Sequence, residues 1–435
     1  MSSSADQRAE CAFPDFKVPY DRDQAMAEAN RCLFCFDAPC MHACPTHIDI
    51  AGFIRKIATD NVRGSARTIL DANILGHSCA RVCPVEVLCV GACVHENHQH
   101  PPIQIGKLQR YSTDAAMRHD WRFFKAGAAS GKRVAIVGGG PAGLAAAHQL
   151  RIDGHAVTIF ERSQRLGGLN VTGVAPYKMR METALEEVEY VLGIGGIDVK
   201  LGVGVDADEL KRLVRDYDAV FVAVGLGPDS ELGLPGESLE GVSGAVRWIE
   251  GMKVGPVALS GVTDAVVIGG GNTAVDAVRE LRGLGVARVT LVYRGSESAM
   301  SGYVHEWENA VLEGVTACWQ ALPIAFEGAG KLSGVRCVRT DASKQPISGT
   351  EFTLPAQLAL VATGQARLGQ LVARLDGVLT ERGRVVADEH GRTGNTKVFV
   401  GGDCANGGKE VVNAAAEGKR AALAIHAALT GGARG

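Results

Sequence analysis

Apolar residues return at helical spacing through DIAGFIRKIATDNVRGSARTILDANILG, at Ile50, Phe53, Ile54 and Ile57, then at Ala66, Ile69 and Leu70. One apolar face and one polar face per turn predict a mostly α-helical head over residues 1–130. The pattern changes at Gly131. KRVAIVGGGPAGLAAAHQLRIDGHAVTIFER then reads as a short apolar strand, a glycine loop, a helix and a second strand. DAVVIGGGNTAVDAVRELRGLGVARVTLVYR repeats the pattern. Two apolar strand ends, AVFVAVGLG (219–227) and LALVATGQ (358–365), lead the chain between the copies. Near the C-terminus, TKVFVGGDCANGGKEVVNAAAEGKRAALAIH gives a strand, Gly-Gly-Asp and a helix. The expected class is α/β, with one nucleotide-type fold over 131–254 and 364–435 and a second inserted over 255–363.

Composition narrows the class. A 435-residue chain with 46% hydrophobic and 5% aromatic residues is a multi-domain globular protein, and its 55 glycines point to tight turns and phosphate loops. Net charge is −3 with no long basic run, which argues against nucleic acid and anionic membrane as partners. The start, MSSSADQRAEC, lacks a charged-then-apolar signal pattern, and no stretch of ~20 apolar residues follows. The expectation is a cytoplasmic chain with reduced thiols.

That expectation matters because eight of the twelve cysteines lie between Cys32 and Cys93. The first group is C-x2-C-x4-C-x3-C-P (Cys32, Cys35, Cys40, Cys44), and the second is C-x3-C-P-x4-C-x3-C (Cys79, Cys83, Cys89, Cys93). Zinc favours short Cys hooks converging on one tetrahedron, which two sets of four could supply. Cys-Pro after a short C-x-x-C run instead matches the ferredoxin pattern, in which the fourth cysteine crosses to the other cluster. On that pattern Cys32, Cys35, Cys40 and Cys93 hold one [4Fe–4S] cube. Cys44, Cys83 and Cys89 begin a second, and Cys79 completes it by counting.

In the first glycine loop, Gly138, Gly140 and Gly143 form G-x-G-x-x-G, Pro141 and Ala142 open the helix, and Glu161 ends the second strand. Such a loop lets backbone N–H groups and a helix N-terminus meet a pyrophosphate, and the acid can accept from a ribose hydroxyl. Gly168 and Leu169 follow as further candidate flavin contacts, with Gly402 and Asp403 beside the ribityl chain and ring. Asp403 serves equally well as a helix-capping aspartate. The second loop, Gly269, Gly271, Asn272, Thr273 and Ala274, gives G-x-G-x-x-A. Two such folds point to FAD and a nicotinamide dinucleotide, and a flavin joins two-electron hydride chemistry to one-electron clusters.

With these motifs in hand, nearly the whole chain resembles the NADH-accepting subunit of bacterial dihydropyrimidine dehydrogenase and the N-terminal half of the large animal enzyme. It is similar, more distantly, to the small subunit of glutamate synthase. The carrying stretches are CLFCFDAPCMHACPTHIDI, LGHSCARVCPVEVLCVGAC, PPIQIGKLQRY, GGGPAGLAAA, GGGNTAVDAV and GGDCANGG. In the pyrimidine family one cluster has a glutamine ligand sixteen residues after the last cysteine, a position held here by Gln109, where the glutamate synthase branch tends to place an acid. The resemblance therefore makes Gln109 the eighth ligand and Cys79 a bystander; on ordinary ferredoxin chemistry Cys79 ligates and Gln109 decorates a helix. It also implies a partner subunit holding FMN and the pyrimidine. NADPH-using relatives carry adjacent basic residues after the second strand of the nicotinamide fold and a further arginine beyond. Here Arg294 is followed by Gly295, Ser301 stands at the later position and Glu297 lies between, so the sequence favours NADH/NAD+.

Overall fold

The computed structural model describes residues 8–97 and 99–431. The MSSSADQ start, on which part of the N-terminal reading rests, lies outside them. The described chain divides into two compact units: residues 16–171, 181–226 and 367–431 form the larger, and residues 8–15, 172–180 and 227–366 the smaller.

The larger unit begins with helices that the sequence caps in place. Asp21 accepts from the Gln24 N–H at 2.8 Å while the Gln24 side chain accepts from the Asp21 N–H at 3.1 Å, starting the helix Arg22–Asn30. Asp49 and Asn61 accept from the N–H groups of Gly52 and Gly64, starting Ile50–Ala58 and Val62–Ala72. The inner faces of these two helices bury Phe53, Ile54, Ile57, Ile69 and Leu70 almost completely. This apolar cluster reaches Cys44, Cys79, Cys83, Cys89 and Cys93, so the helices wall in the cysteine segments.

The same unit holds a parallel five-stranded sheet in the order Val398–Val400, Ala219–Val222, Arg133–Val137, Ala156–Glu161, Ile197–Leu201. Parallel strands buried on both faces read as near-continuous apolar runs, which is why RVAIV and AVFV could be recognised. The helices Pro141–Ile152 and Val411–Thr430 pack closely, with a Cβ on Gly418 falling 2.1 Å from the Ala142 carbonyl oxygen.

His148, on the first of those helices, is buried, with its ring edge-to-face against Phe124 at 5.0 Å. Burial, with the nearby Lys419 ammonium, pushes its pKa down to about 3. A histidine depressed on folding stabilises fully above its unfolded value of about 6.5 and loses that contribution as pH falls toward its folded value, at about 1.4 kcal/mol per pH unit. His148→Phe should therefore flatten stability against pH across that window. Urea unfolding of both proteins at several pH values checks this, and equal slopes would remove His148 as the cause.

The smaller unit carries a second parallel sheet, ordered Val242–Gly244, Leu358–Val361, Asp264–Ile268, Arg288–Tyr293, Thr316–Trp319. Along the chain all its strands fall between Ala219–Val222 and Val398–Val400 of the first sheet, so the second fold is inserted in the first. An antiparallel three-stranded sheet, Phe352–Pro355, Lys331–Arg339, Ala321–Ala329, accompanies it and was not read from the sequence. The crossing also falls earlier than residue 254, because Val242, Ser243 and Gly244 pair with Ala359, Leu360 and Val361. The short VSG strand has too little apolar pattern to be seen without its partner. No described helix is long and apolar enough to cross a membrane.

Candidate functional site

Cys32, Cys35, Cys40, Cys44, Cys79, Cys83, Cys89 and Cys93 form no disulfide. Cys32, Cys35, Cys40 and Cys93 line one pocket with Ile50, Ile54 and Ile103. The chain thus brings a thiol from the end of the second group onto the first. Burial, followed by Cys93, Cys32 and Cys35, pushes the Cys40 thiol up to about 12. A site that penalises thiolates this way is one that a cationic iron core would balance. Cys89 is raised chiefly by burial, then by Cys83, Cys44 and Cys40, so these thiols lie within electrostatic reach of it. Among the described residues no three Cys, His, Asp or Glu side chains could hold a single metal ion.

Two residues border this second group. Cys79 lies on the helix Gly76–Val82, one turn before Cys83, hydrogen-bonds to it and accepts from the Asn73 amide at 3.2 Å. Gln109, on the helix Ile105–Arg118, is 8% exposed and donates its Nε2 to the Gly76 carbonyl at 2.7 Å. That bond leaves the amide oxygen as the free acceptor. Glu187, fully buried, accepts from the N–H groups of His77 and Ser78 and from the Ser78 hydroxyl. Its carboxylate satisfies the N-terminal donors of the Gly76–Val82 helix. Asn170, next to Leu169, donates to the same hydroxyl at 2.8 Å, joining the cysteine segment to the first glycine-loop fold. Sequence reasoning missed Glu187, because nothing local marks a cap supplied from over a hundred residues away.

In the first glycine loop, Gly138 has φ +106°, and a Cβ there would lie 2.3 Å from the Ala223 carbonyl oxygen. A Cβ on Gly143 would meet the Gly138 carbonyl oxygen at 2.0 Å. Gly140 differs: its nearest prospective neighbour is the Gly168 Cα at 3.9 Å, so this face of the loop is open. Pro141 starts the helix and Ala142 is buried behind it. The Glu161 carboxylate accepts from the Gly139 N–H and the Ser163 N–H, each at 2.8 Å, placing the acid at the loop. Gly167 donates to the Gly139 carbonyl at 2.7 Å, bringing Gly168 and Leu169 to the same rim. At the other edge Gly402, at φ +75°, donates to Glu417, and Asp403 accepts from the Lys409 N–H at 3.2 Å. Gly402, not Asp403, is the cap residue of the short helix Asp403–Asn406. An open second glycine, a helix N-terminus and a rim acid fit an adenine dinucleotide such as FAD.

The second loop repeats this geometry. Gly269 would meet the Ala362 carbonyl oxygen at 2.4 Å, whereas a Cβ on Gly271 has nothing nearer than the Ser301 hydroxyl at 3.8 Å. Asn272 and Thr273 begin the helix Asn272–Gly283, Asn272 accepts from the Tyr303 N–H at 2.9 Å, and Ala274 is fully buried. Arg294 follows the strand Arg288–Tyr293 and is exposed. On the same helix Asp276, with Glu306, pairs with Lys178 at 2.8 and 2.7 Å, a buried ion triad that sequence spacing did not announce. Bound at these loops, a flavin and a nicotinamide would supply hydride transfer and its division into single electrons.

Two dinucleotide folds, one inserted in the other, and a helical segment that gathers cysteines define an NAD(P)H-dependent flavin and iron–sulfur oxidoreductase. Residues 132–418 match the family described as pyridine nucleotide-disulphide oxidoreductase, and the chain belongs to it. Residues 9–121 match dihydropyrimidine dehydrogenase domain II, 4Fe-4S cluster. The chain is 34% identical over 442 residues to the glutamate synthase (NADPH) small chain of Escherichia coli (strain K12), covering 95% of this chain and 93% of that one. It is 35% identical over 410 residues to the NAD-dependent dihydropyrimidine dehydrogenase subunit PreT of the same strain, covering 94% and 95%. Among solved structures, FprA of Mycobacterium tuberculosis in complex with NADPH shares the fold at TM-score 0.54 and 22% identity, covering 68% of this chain and 84% of that one. Lactococcus lactis thioredoxin reductase shares it at TM-score 0.55 and 20% identity, covering 69% and 99%.

Proposed function

We propose that this chain is the electron-input subunit of a cytoplasmic dihydropyrimidine dehydrogenase. In this reading it oxidises a reduced nicotinamide dinucleotide and delivers the electrons to an FMN-containing partner, which reduces uracil or thymine to the 5,6-dihydropyrimidine. FAD belongs at Gly138, Gly140, Gly143, Glu161 and Asp403, and the nicotinamide dinucleotide at Gly269, Gly271, Asn272 and Arg294. Two [4Fe–4S] clusters take Cys32, Cys35, Cys40 and Cys93, and Cys44, Cys83, Cys89 and Gln109.

The observation that carries the reading is Gln109. Overall identity does not separate the two relatives, at 34% and 35% over nearly the whole chain. On the resemblance, Gln109 stands where the pyrimidine family has its glutamine ligand and the glutamate synthase branch tends to place an acid, and here it is buried with its amide nitrogen already bonded to Gly76. A neutral oxygen donor in place of a thiolate changes the cluster's net charge and hence its potential.

The alternative, supported by the match to the glutamate synthase small chain, is an electron-feeding subunit for that enzyme. A general electron-transfer adaptor is a third reading. The purified chain should reduce ferricyanide with a nicotinamide dinucleotide and leave uracil untouched until an FMN-containing partner is added. Uracil reduction by the isolated, FMN-free chain would overturn the division of labour. Copurification with a glutamine amidotransferase would support the glutamate synthase reading instead, and several unrelated partners the adaptor.

A further inference from the structure

The strand Arg288–Tyr293 ends differently from its counterpart in the first fold. There the strand Ala156–Glu161 ends on a carboxylate, which suits ribose hydroxyls. Here the last residue is Tyr293, then come Arg294 and Gly295, and no acid occupies the strand end. The second cation at this point comes from far along the chain. A hairpin tip after the strand Lys331–Arg339 carries Lys344, whose Cε lies 3.2 Å from where a Cβ on Gly295 would sit. Its ammonium is 5.7 Å from the centre of the Tyr293 ring.

The tip is built to hold that lysine. Thr340 donates its hydroxyl to the Arg294 carbonyl at 2.8 Å, and Gln320 donates its N–H to the Gly295 carbonyl at 3.0 Å. Asp341 accepts from the N–H groups of Ser343 and Gln345 at 2.8 and 2.9 Å, and Lys344 donates its N–H to the Asp341 carbonyl. Lys344 itself has φ +64°, a left-handed conformation unfavourable for a side chain of that kind. The two nearby acids are both engaged. Asp341 caps the turn, and Glu297, which the sequence set against a phosphate, accepts from the Trp307 indole N–H at 2.7 Å. Among the described residues neither Arg294 nor Lys344 forms an ion pair.

We propose that Lys344, with Arg294, selects the nucleotide by binding the 2′-phosphate of NADP(H). The inference rests on the second fold holding a nicotinamide dinucleotide, and it revises the preference for NADH read from residues 294–301. Lysine supplies a compact charge and three donors, which with Arg294 would set two cations against the phosphate while Glu297 is held by Trp307 and Asp341 by its turn.

Titration calorimetry of the purified protein with NADP+ and with NAD+ tests this. The native chain should bind NADP+ at least about tenfold more tightly, the order set by a charge-assisted contact. Lys344→Asn keeps a residue that tolerates the left-handed backbone and removes the charge. It should lower the NADP+ to NAD+ affinity ratio about tenfold, and Lys344→Arg should restore most of it. Equal binding of the two nucleotides by the native chain, or an unchanged ratio in Lys344→Asn, would overturn the assignment. Binding of neither nucleotide would overturn the reading of the fold as well.

Discussion

Serine in place of Cys93 is expected to remove one iron–sulfur cluster and leave the flavin chemistry intact. Cys93 is buried and lines the same pocket as Cys32, Cys35 and Cys40, although the other three belong to a segment far earlier in the chain. A cube left with three thiolates loses both an anionic ligand and the tie between the two cysteine segments. Iron content should fall from about eight to about four atoms per chain, on the assignment of two cubes. Reduction of ferricyanide by the nicotinamide dinucleotide needs no cluster and should continue, whereas electron delivery to the FMN partner should drop to background. Cys79→Ser provides the contrast, because in this assignment Gln109 is the ligand and both cubes survive. Iron and labile-sulfide analysis of the two variants decides the matter. Full iron in Cys93→Ser would remove Cys93 from the first cube, loss of about half the iron in Cys79→Ser would make Cys79 rather than Gln109 the eighth ligand, and zinc without sulfide in the native protein would end the iron–sulfur assignment.

The first glycine loop gives the second large effect, because its glycines are small for different reasons. At Gly138 the backbone is left-handed and a Cβ would press on the Ala223 carbonyl oxygen at 2.3 Å. Gly138→Ala should therefore destabilise the fold itself, by about 2–4 kcal/mol once backbone strain and displacement are combined. At Gly140 the backbone has φ −78°, open to any residue, and the nearest atom to an added Cβ is 3.9 Å away. Gly140→Val should leave the apoprotein folded with little change in its unfolding midpoint. The branched side chain would occupy the space where a pyrophosphate approaches the loop, so flavin content should fall to less than about a tenth of native. Flavin absorbance and thermal unfolding of both variants separate the two effects. Retained flavin in Gly140→Val would show that the open face of this loop is not the cofactor cradle.

The motifs that could be read in advance are those whose parts lie within one turn, one strand or one loop. Alternation of apolar and polar positions at 50–57 and 66–70 predicted helices that the structure contains as Ile50–Ala58 and Val62–Ala72. The G-x-G-x-x-G loop was legible because strand, turn and helix follow one another closely, a positive φ favours glycine at Gly138, and a contact within the loop demands it at Gly143. The insertion of one fold in the other followed from the order of the motifs. The short strand Val242–Gly244 and the antiparallel sheet were not visible in this way, since their pairing depends on residues distant in sequence.

What the sequence by itself determined about this protein is the type of chemistry: eight clustered cysteines, two glycine loops and the elements that present them. The tertiary structure alone decided which distant groups meet. It set Gln109 against Gly76, brought Glu187 under the helix that carries Cys79, and placed Lys344 beside Gly295. The physical reason is that a backbone conformation is governed by neighbours along the chain. The charge and hydrogen bonding around a site are governed by neighbours in space, and a capping carboxylate or a lysine on a hairpin tip leaves no periodic mark in the residues around it.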